Sequence, residues 1–190
     1  MTTQERRWIL GGGLASGKSA VRQTLAETGV VTIDADSVGH SVLAPDGPAF
    51  GAVAERWPGV LSKGHIDRGA LAQIVFNDPG ELAALEGITH PHIFDTIRGR
   101  VEEIPGPVVV EVPVRKPVFG PGWLRMVVDS RDDEKLRRAI ERGMEEADAR
   151  ARLAAQPSRE EWLAVADLVV PNHGSLADLK TSVRLVVGRL

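Results

Sequence analysis

Gly12-Gly13-Leu14-Ala15-Ser16-Gly17-Lys18-Ser19, with Ala20 next, fits the spacing G-x-x-x-x-G-K-[ST] and decides how the rest of the chain is read. It follows a short apolar run, Trp8 to Leu10, and precedes a stretch that places Val21 and Leu25 on one side of a helix. Strand, glycine-rich turn and helix in that order make an anion cradle. The glycines let successive backbone N–H groups face one point, and the helix adds the positive end of its dipole. The expected ligand is a nucleoside triphosphate held along Gly12 to Ala20. Lys18 is expected to reach its β- and γ-phosphates, and the Ser19 hydroxyl to ligate Mg²⁺.

Working outward, four more brief runs are rich in Val, Ile or Leu, as strands buried on both faces are: Val30 to Ile33, Val108 to Val112, Met126 to Val128 and Leu168 to Val170. Their alternation with stretches of helical spacing predicts an α/β fold, a parallel sheet wrapped by helices. Roughly 70 residues separate the second and third runs, more than an ordinary crossover uses. They carry the turn signals Pro45, Gly47, Pro48, Pro58, Gly59, Pro79 and Pro91. We expect a single domain with core 1–36, 106–130 and 165–190, and a mostly helical acceptor-binding insertion at 37–105. The charged, Ala-rich stretch 131–164 suits exposed helices that close over a site as a lid.

Composition narrows the chemistry. A chain of 190 residues with 43% hydrophobic and 26% charged residues can bury one substantial core. Its formal net charge of -3 and pI near 6.0 give no basic field, so no nucleic-acid partner is expected. The absence of cysteine excludes disulfides, thiolate metal sites and thiol nucleophiles. Met1 to Arg7 is polar and no apolar run approaches the roughly 18 residues of a membrane span, so a cytoplasmic enzyme without a membrane partner is expected.

Asp34-Ala35-Asp36 follows the second run, at the carboxyl edge where open α/β sheets hold ligands. Alternation points Asp36 at the site, where a carboxylate can accept the proton of an attacking hydroxyl. Asp34 has two readings, a group around Mg²⁺ or the cap of a helix starting near Ser37. Glu111 reads equally as a metal group or an exposed strand end, and Asp129 as the cap of the next helix. Arg138 and Arg142 share a helical face and repel unless an anion lies between them; the alternative is ordinary pairing with Glu134 and Glu146, each four residues away. Arg152 is a weaker candidate for the same role. His90 precedes Pro91, where a turn and a helix start are expected. His40, His65, His92 and His173 show no metal-ligand spacing.

Together these segments resemble the dephospho-coenzyme A kinase family, over almost the whole chain. The likeness rests on the P-loop, Ile33-Asp34-Ala35-Asp36, Gly64-His65-Ile66-Asp67-Arg68 with Val75-Phe76, His90-Pro91 and Glu111-Val112-Pro113. It is closest from Arg142-Gly143-Met144 through Ala149-Arg150-Ala151-Arg152-Leu153-Ala154-Ala155-Gln156 to Ala166-Asp167, Asn172 and Gly174. The resemblance implies a P-loop kinase fold with five parallel strands in the order 2-3-1-4-5. It implies transfer of the ATP γ-phosphate to the ribose 3′-hydroxyl of dephospho-coenzyme A, the last step of coenzyme A biosynthesis. Asp36 would be the catalytic base, Arg138 and Arg142 would belong to the lid, and Asn172 to Gly174 would lie beside the adenine. Asp67, Arg68 and His90 would stand in or near the acceptor pocket.

This chain departs from the family at several positions. Pro113-Val114-Arg115-Lys116-Pro117 replaces a Pro-Leu-Leu segment with a following glutamate, so Arg115 and Lys116 read equally as acceptor-phosphate ligands or as hydrated side chains on a Pro-bounded loop. Ala15 stands where the family has another glycine, Gly11 where it has threonine, His40 for an arginine and Pro171 for an aspartate. Two rival readings remain: a paralogue that phosphorylates another hydroxyl, and a non-catalytic nucleotide-binding regulator.

Overall fold

The computed structural model describes residues 7–112 and 118–190, so Arg115 and Lys116 lie outside the described residues. Five strands form one parallel sheet: β1 (Arg7–Gly11), β2 (Val31–Asp34), β5 (Val108–Glu111), β6 (Trp123–Asp129) and β7 (Leu168–Pro171), in the order β2-β5-β1-β6-β7. Counting only these five, the order is the expected 2-3-1-4-5. β1 is central, with Trp8 opposite Val109 on one side and Leu124 on the other. β6 continues the sheet by pairing Met126 with Leu168 of β7.

Alternate strand residues build the core on one face. Trp8 and Leu10, Met126 and Val128, and Leu168 and Val170 are buried there under two helices, α1 (Lys18–Glu27) and α9 (Leu176–Val187). Val21 and Leu25 of α1 and Leu179 and Val183 of α9 recur at i, i+4, the spacing that turns one helical stripe toward a sheet. Between β6 and β7 run α6 (Asp132–Glu141), α7 (Glu146–Ala154) and α8 (Arg159–Leu163).

The chain divides into two compact units, residues 1–33 with 104–190, and residues 34–103. The second contains α2 (Ala35–Val42), α3 (Phe50–Arg56), a 3₁₀ turn (Pro58–Val60), the hairpin β3 (Leu61–Ser62) and β4 (His65–Ile66), α4 (Arg68–Asn77) and α5 (Pro79–Glu102). Its own core gathers Val53, Trp57, Val60, Ile66, Leu71 and Val75. The hairpin turns on Lys63 and Gly64, whose φ values of 51° and 80° are the paired positive angles that match strand twist in a two-residue loop. α5 passes through Pro91 without ending, contrary to the turn expected there. Pro91 has no N–H for the carbonyl one turn back, normally a break, yet Thr89, Ile97 and Val101 bury one side of the helix and hold both halves.

Candidate active site

The glycine-rich turn lies between β1 and α1, as its sequence requires. Gly17 is left-handed at φ 104°, and a Cβ there would collide with the Asn172 amide nitrogen, so only glycine fits. The close approach has a purpose: Asn172 Nδ2 donates to the Ser16 carbonyl at 2.7 Å, tying the loop to the end of β7. Lys18 Nζ donates to the carbonyls of Gly12 at 2.9 Å and Gly13 at 3.1 Å, which places its ammonium over the first half of the loop. Ala15 adopts φ 53°, a left-handed angle that costs an L-residue roughly 1–2 kcal/mol. Its methyl is buried against Ala139 and Ala149, a burial of about 0.8 kcal/mol that offsets much of that strain.

At the start of α1, Ser19 Oγ donates to Glu111 Oε1 at 3.3 Å, and Glu111 Oε2 receives the Arg22 guanidinium at 2.7 Å. A hydroxyl and a carboxylate side by side suit Mg²⁺, which takes one or two protein oxygens and fills its octahedron with phosphate and water. Among the described residues no group of three or more His, Cys, Asp or Glu could hold a metal by itself.

The two arginines of α6 differ in use. Arg138 is half-buried; it donates to Ser130 Oγ at 2.5 Å and to Asn172 O and Oδ1 at 3.0 and 3.2 Å. Burial lowers its pKa from the ordinary arginine value, Arg137 and Arg142 act the same way, and Glu134 opposes them. Arg142, at the end of α6, is exposed and borders an open cavity of about 250 Å³ with Leu14, Ala15, Ala139, Gly143 and Met144. Neither arginine makes the ordinary helical pair that spacing allowed. Glu134 bonds Arg131 and His173 instead, and Glu146 bonds Arg150. Arg152 is exposed on α7.

Three neighbours of the loop were not singled out from sequence. Lys135, 4% exposed, is ion-paired with Asp132 at 2.9 Å, and its Nζ lies 3.7 Å from where a Gly13 Cβ would be. Gln156 Oε1 accepts from the Leu14 N–H at 2.7 Å. Trp162 of α8 lies against Gly11, where a Cβ would meet its ring at 2.9 Å, so glycine in place of the family's threonine makes room for the indole. A buried, helix-spaced lysine or tryptophan reads as ordinary surface or core; only the i, i+3, i+7 line of Lys135, Arg138 and Arg142 could have flagged the first.

Asp129 does not cap the next helix, whose N-cap is Arg131. The Arg159 guanidinium takes it in a two-pronged bond of 2.6 and 2.7 Å, and His173 Nε2 lies 3.1 Å away. Arg159 and then His173 hold its pKa below the usual carboxylate value against the opposing effect of burial. β6, α8 and the loop after β7, which contains Asn172 and Gly174, are pinned together by this one carboxylate.

In the unit 34–103, Asp34 Oδ1 accepts from the N–H groups of Asp36 at 3.0 Å and Ser37 at 3.4 Å, so this oxygen caps α2. The Asp36 side chain is exposed on the first turn, and His40 is exposed on the last. Asp67 caps α4 through Gly69 and Ala70, and Arg68 begins that helix, exposed. His90 is within α5, its ring tilted against Phe94 at 5.4 Å.

A five-stranded parallel sheet with a phosphate loop between its central strand and the next helix, and arginines on a helix beside that loop, defines a P-loop kinase, a phosphotransferase. The dephospho-CoA kinase family model matches residues 8–178, and the chain belongs to that family. A dephospho-CoA kinase of Streptomyces avermitilis is 40% identical over 184 residues, covering 92% of this chain and 88% of that one. Among solved structures, TT1252 from Thermus thermophilus superposes with a TM-score of 0.83 at 29% identity, over 98% of both chains. Dephospho-CoA kinase from Campylobacter jejuni gives 0.73 at 25% identity over 96% of both. No helix among the described residues is long and apolar enough to cross a membrane.

Proposed function

We propose that the chain transfers the γ-phosphate of ATP to the ribose 3′-hydroxyl of dephospho-coenzyme A, in the cytoplasm, as the last step of coenzyme A biosynthesis. One observation carries the reading: in a chain of this family, the phosphate loop has Lys18 over residues 12–13 and Arg142 exposed beside Leu14 and Ala15. Backbone N–H groups from Gly12 to Ala20 cradle the triphosphate. Lys18 exchanges its carbonyl partners for β- and γ-phosphate oxygens, and Arg142 joins it from the lid. Arg138, destabilised by burial and by its cationic neighbours, gains from the same anion. Asn172 is occupied with Ser16 and Arg138, so it shapes the adenine side mainly by holding the loop, with Gly174 beside it.

Ser19 and Glu111 would hold Mg²⁺, and Asp34 is proposed for its surroundings. When bound, the ion neutralises charge on the phosphates. Asp36, exposed at the start of α2, takes the proton of the acceptor hydroxyl. Asp67, Arg68 and His90, with Arg115 and Lys116, are proposed for the acceptor; Asp67 acts there through its cap on α4.

The test is a product assay with ATP, dephospho-coenzyme A and a panel of other hydroxyl acceptors. Lys18→Ala is expected to abolish turnover with the fold intact. Asp36→Asn should lower kcat by roughly 10²–10⁴ with nucleotide affinity little changed. Turnover only with another alcohol would replace the acceptor, and normal turnover by Lys18→Ala would remove the assignment.

A further inference from the structure

Gln156 follows α7, far from the phosphate loop in sequence, yet its side chain ends on that loop. Its Oε1 accepts from Leu14 N–H at 2.7 Å and lies 3.2 Å from the Cβ position of Gly13. The bond orients the carboxamide. A backbone N–H can be met only by the carbonyl oxygen, so the Nε2 group, with two donors, must point away from Leu14. Those donors have no protein acceptor among the described residues.

Their surroundings are built for an anion. The Lys18 ammonium, which in such loops serves the β- and γ-phosphates, is bonded to the carbonyls of Gly12 and Gly13, the residues next to the one Gln156 grips. Arg142 borders the cavity beside Leu14 and Ala15, and Lys135 is buried against Gly13. Three cations and an oriented pair of neutral donors therefore converge on residues 12–15.

We infer that Gln156 is a further nucleotide-binding residue: Leu14 fixes its carbonyl oxygen so that its Nε2 donates to the terminal phosphate of the triphosphate. The inference rests on the ATP-using reading above and deepens it. It gives a residue of the lid region a direct part in distinguishing a triphosphate from a diphosphate, since only the former carries the group that Nε2 meets.

The experiment is calorimetric binding of ADP and of a non-hydrolysable ATP analogue, which needs no acceptor. A hydrogen bond to a charged oxygen is worth enough that Gln156→Leu should weaken the analogue roughly tenfold to a hundredfold and leave ADP within about twofold. Gln156→Glu keeps an oxygen for Leu14 but replaces both donors with a negative charge, so it should weaken the analogue at least as far. Gln156 is exposed, and melting temperatures of both variants should match the parent protein. Equal weakening of ADP and analogue, or analogue binding by Gln156→Glu equal to that of the parent, would reduce Gln156 to a brace for the loop and overturn the inference. The parent protein is measured first. If it binds neither nucleotide, the kinase reading itself falls.

Discussion

Gly11 and Trp162 show how a single departure from a family pattern is explained by a partner far along the chain. The Cβ of any other residue at position 11 would press on the indole at 2.9 Å, closer than carbon atoms approach without movement. Gly11→Thr is therefore expected to destabilise the protein by about 1–3 kcal/mol, the usual cost of overpacking a tight site. In a Trp162→Leu background the same change should cost clearly less, and denaturant unfolding of the four proteins reads the coupling. Equal costs in both backgrounds would show that the two residues do not compete for space. Ala15 presents the reverse case: the sequence shows a methyl where the family has none, but only backbone angles show that this methyl stands on a left-handed residue. The phosphate loop itself, Lys18 and Ser19 were legible because their spacing is local. Lys135, Gln156 and Trp162 were not, because what makes them part of the site is proximity across more than 120 residues.

Elements were legible where their signal was periodic or continuous. Trp8 to Leu10 lies inside β1, Met126 to Val128 inside β6, and Val21 and Leu25 bury one stripe of α1. Pro91 misled because a proline's local preference is to end a helix, and tertiary burial of α5 outweighs that preference. Asp129 misled in the same way: an aspartate before a charged helix looks like a cap, whereas Arg159 from another helix claims it. That ion pair has a defined pH signature. Because the folded pKa of Asp129 is lowered, the pair's contribution is complete above the unfolded carboxylate pKa of about 3.9 and disappears as pH falls through the lower folded value. Asp129→Asn should therefore destabilise the protein at about pH 5, with the gap to the parent narrowing below about pH 4. Unfolding free energies measured across that range check it. A gap that widened below about pH 4 would contradict the assignment.

At the scale of the whole molecule, the expectation of a sheet interrupted by a long helical insertion came from chain length between apolar runs. The hairpin at residues 61–66 was not foreseen, because two-residue strands carry almost no periodic signal. Each compact unit has its own core, and the core of residues 34–103 is the smaller. Amide hydrogen exchange in α4 should therefore proceed through openings at least about tenfold more populated than those that expose β1, as separate cooperative units allow. Identical opening free energies in α4 and β1 would indicate one cooperative unit instead.

β2 and β5 are neighbours in the sheet, although residues 34–103 intervene between them in sequence. The strands that open and close the insertion are thus already joined by hydrogen bonds, and the order of the sheet does not depend on what the intervening segment contains. In evolutionary terms the chain carries a cassette: mutations that reshape residues 34–103 leave β1, the phosphate loop and α6 untouched in sequence. On the function proposed above, a lineage could change the alcohol it phosphorylates while inheriting its nucleotide chemistry unaltered.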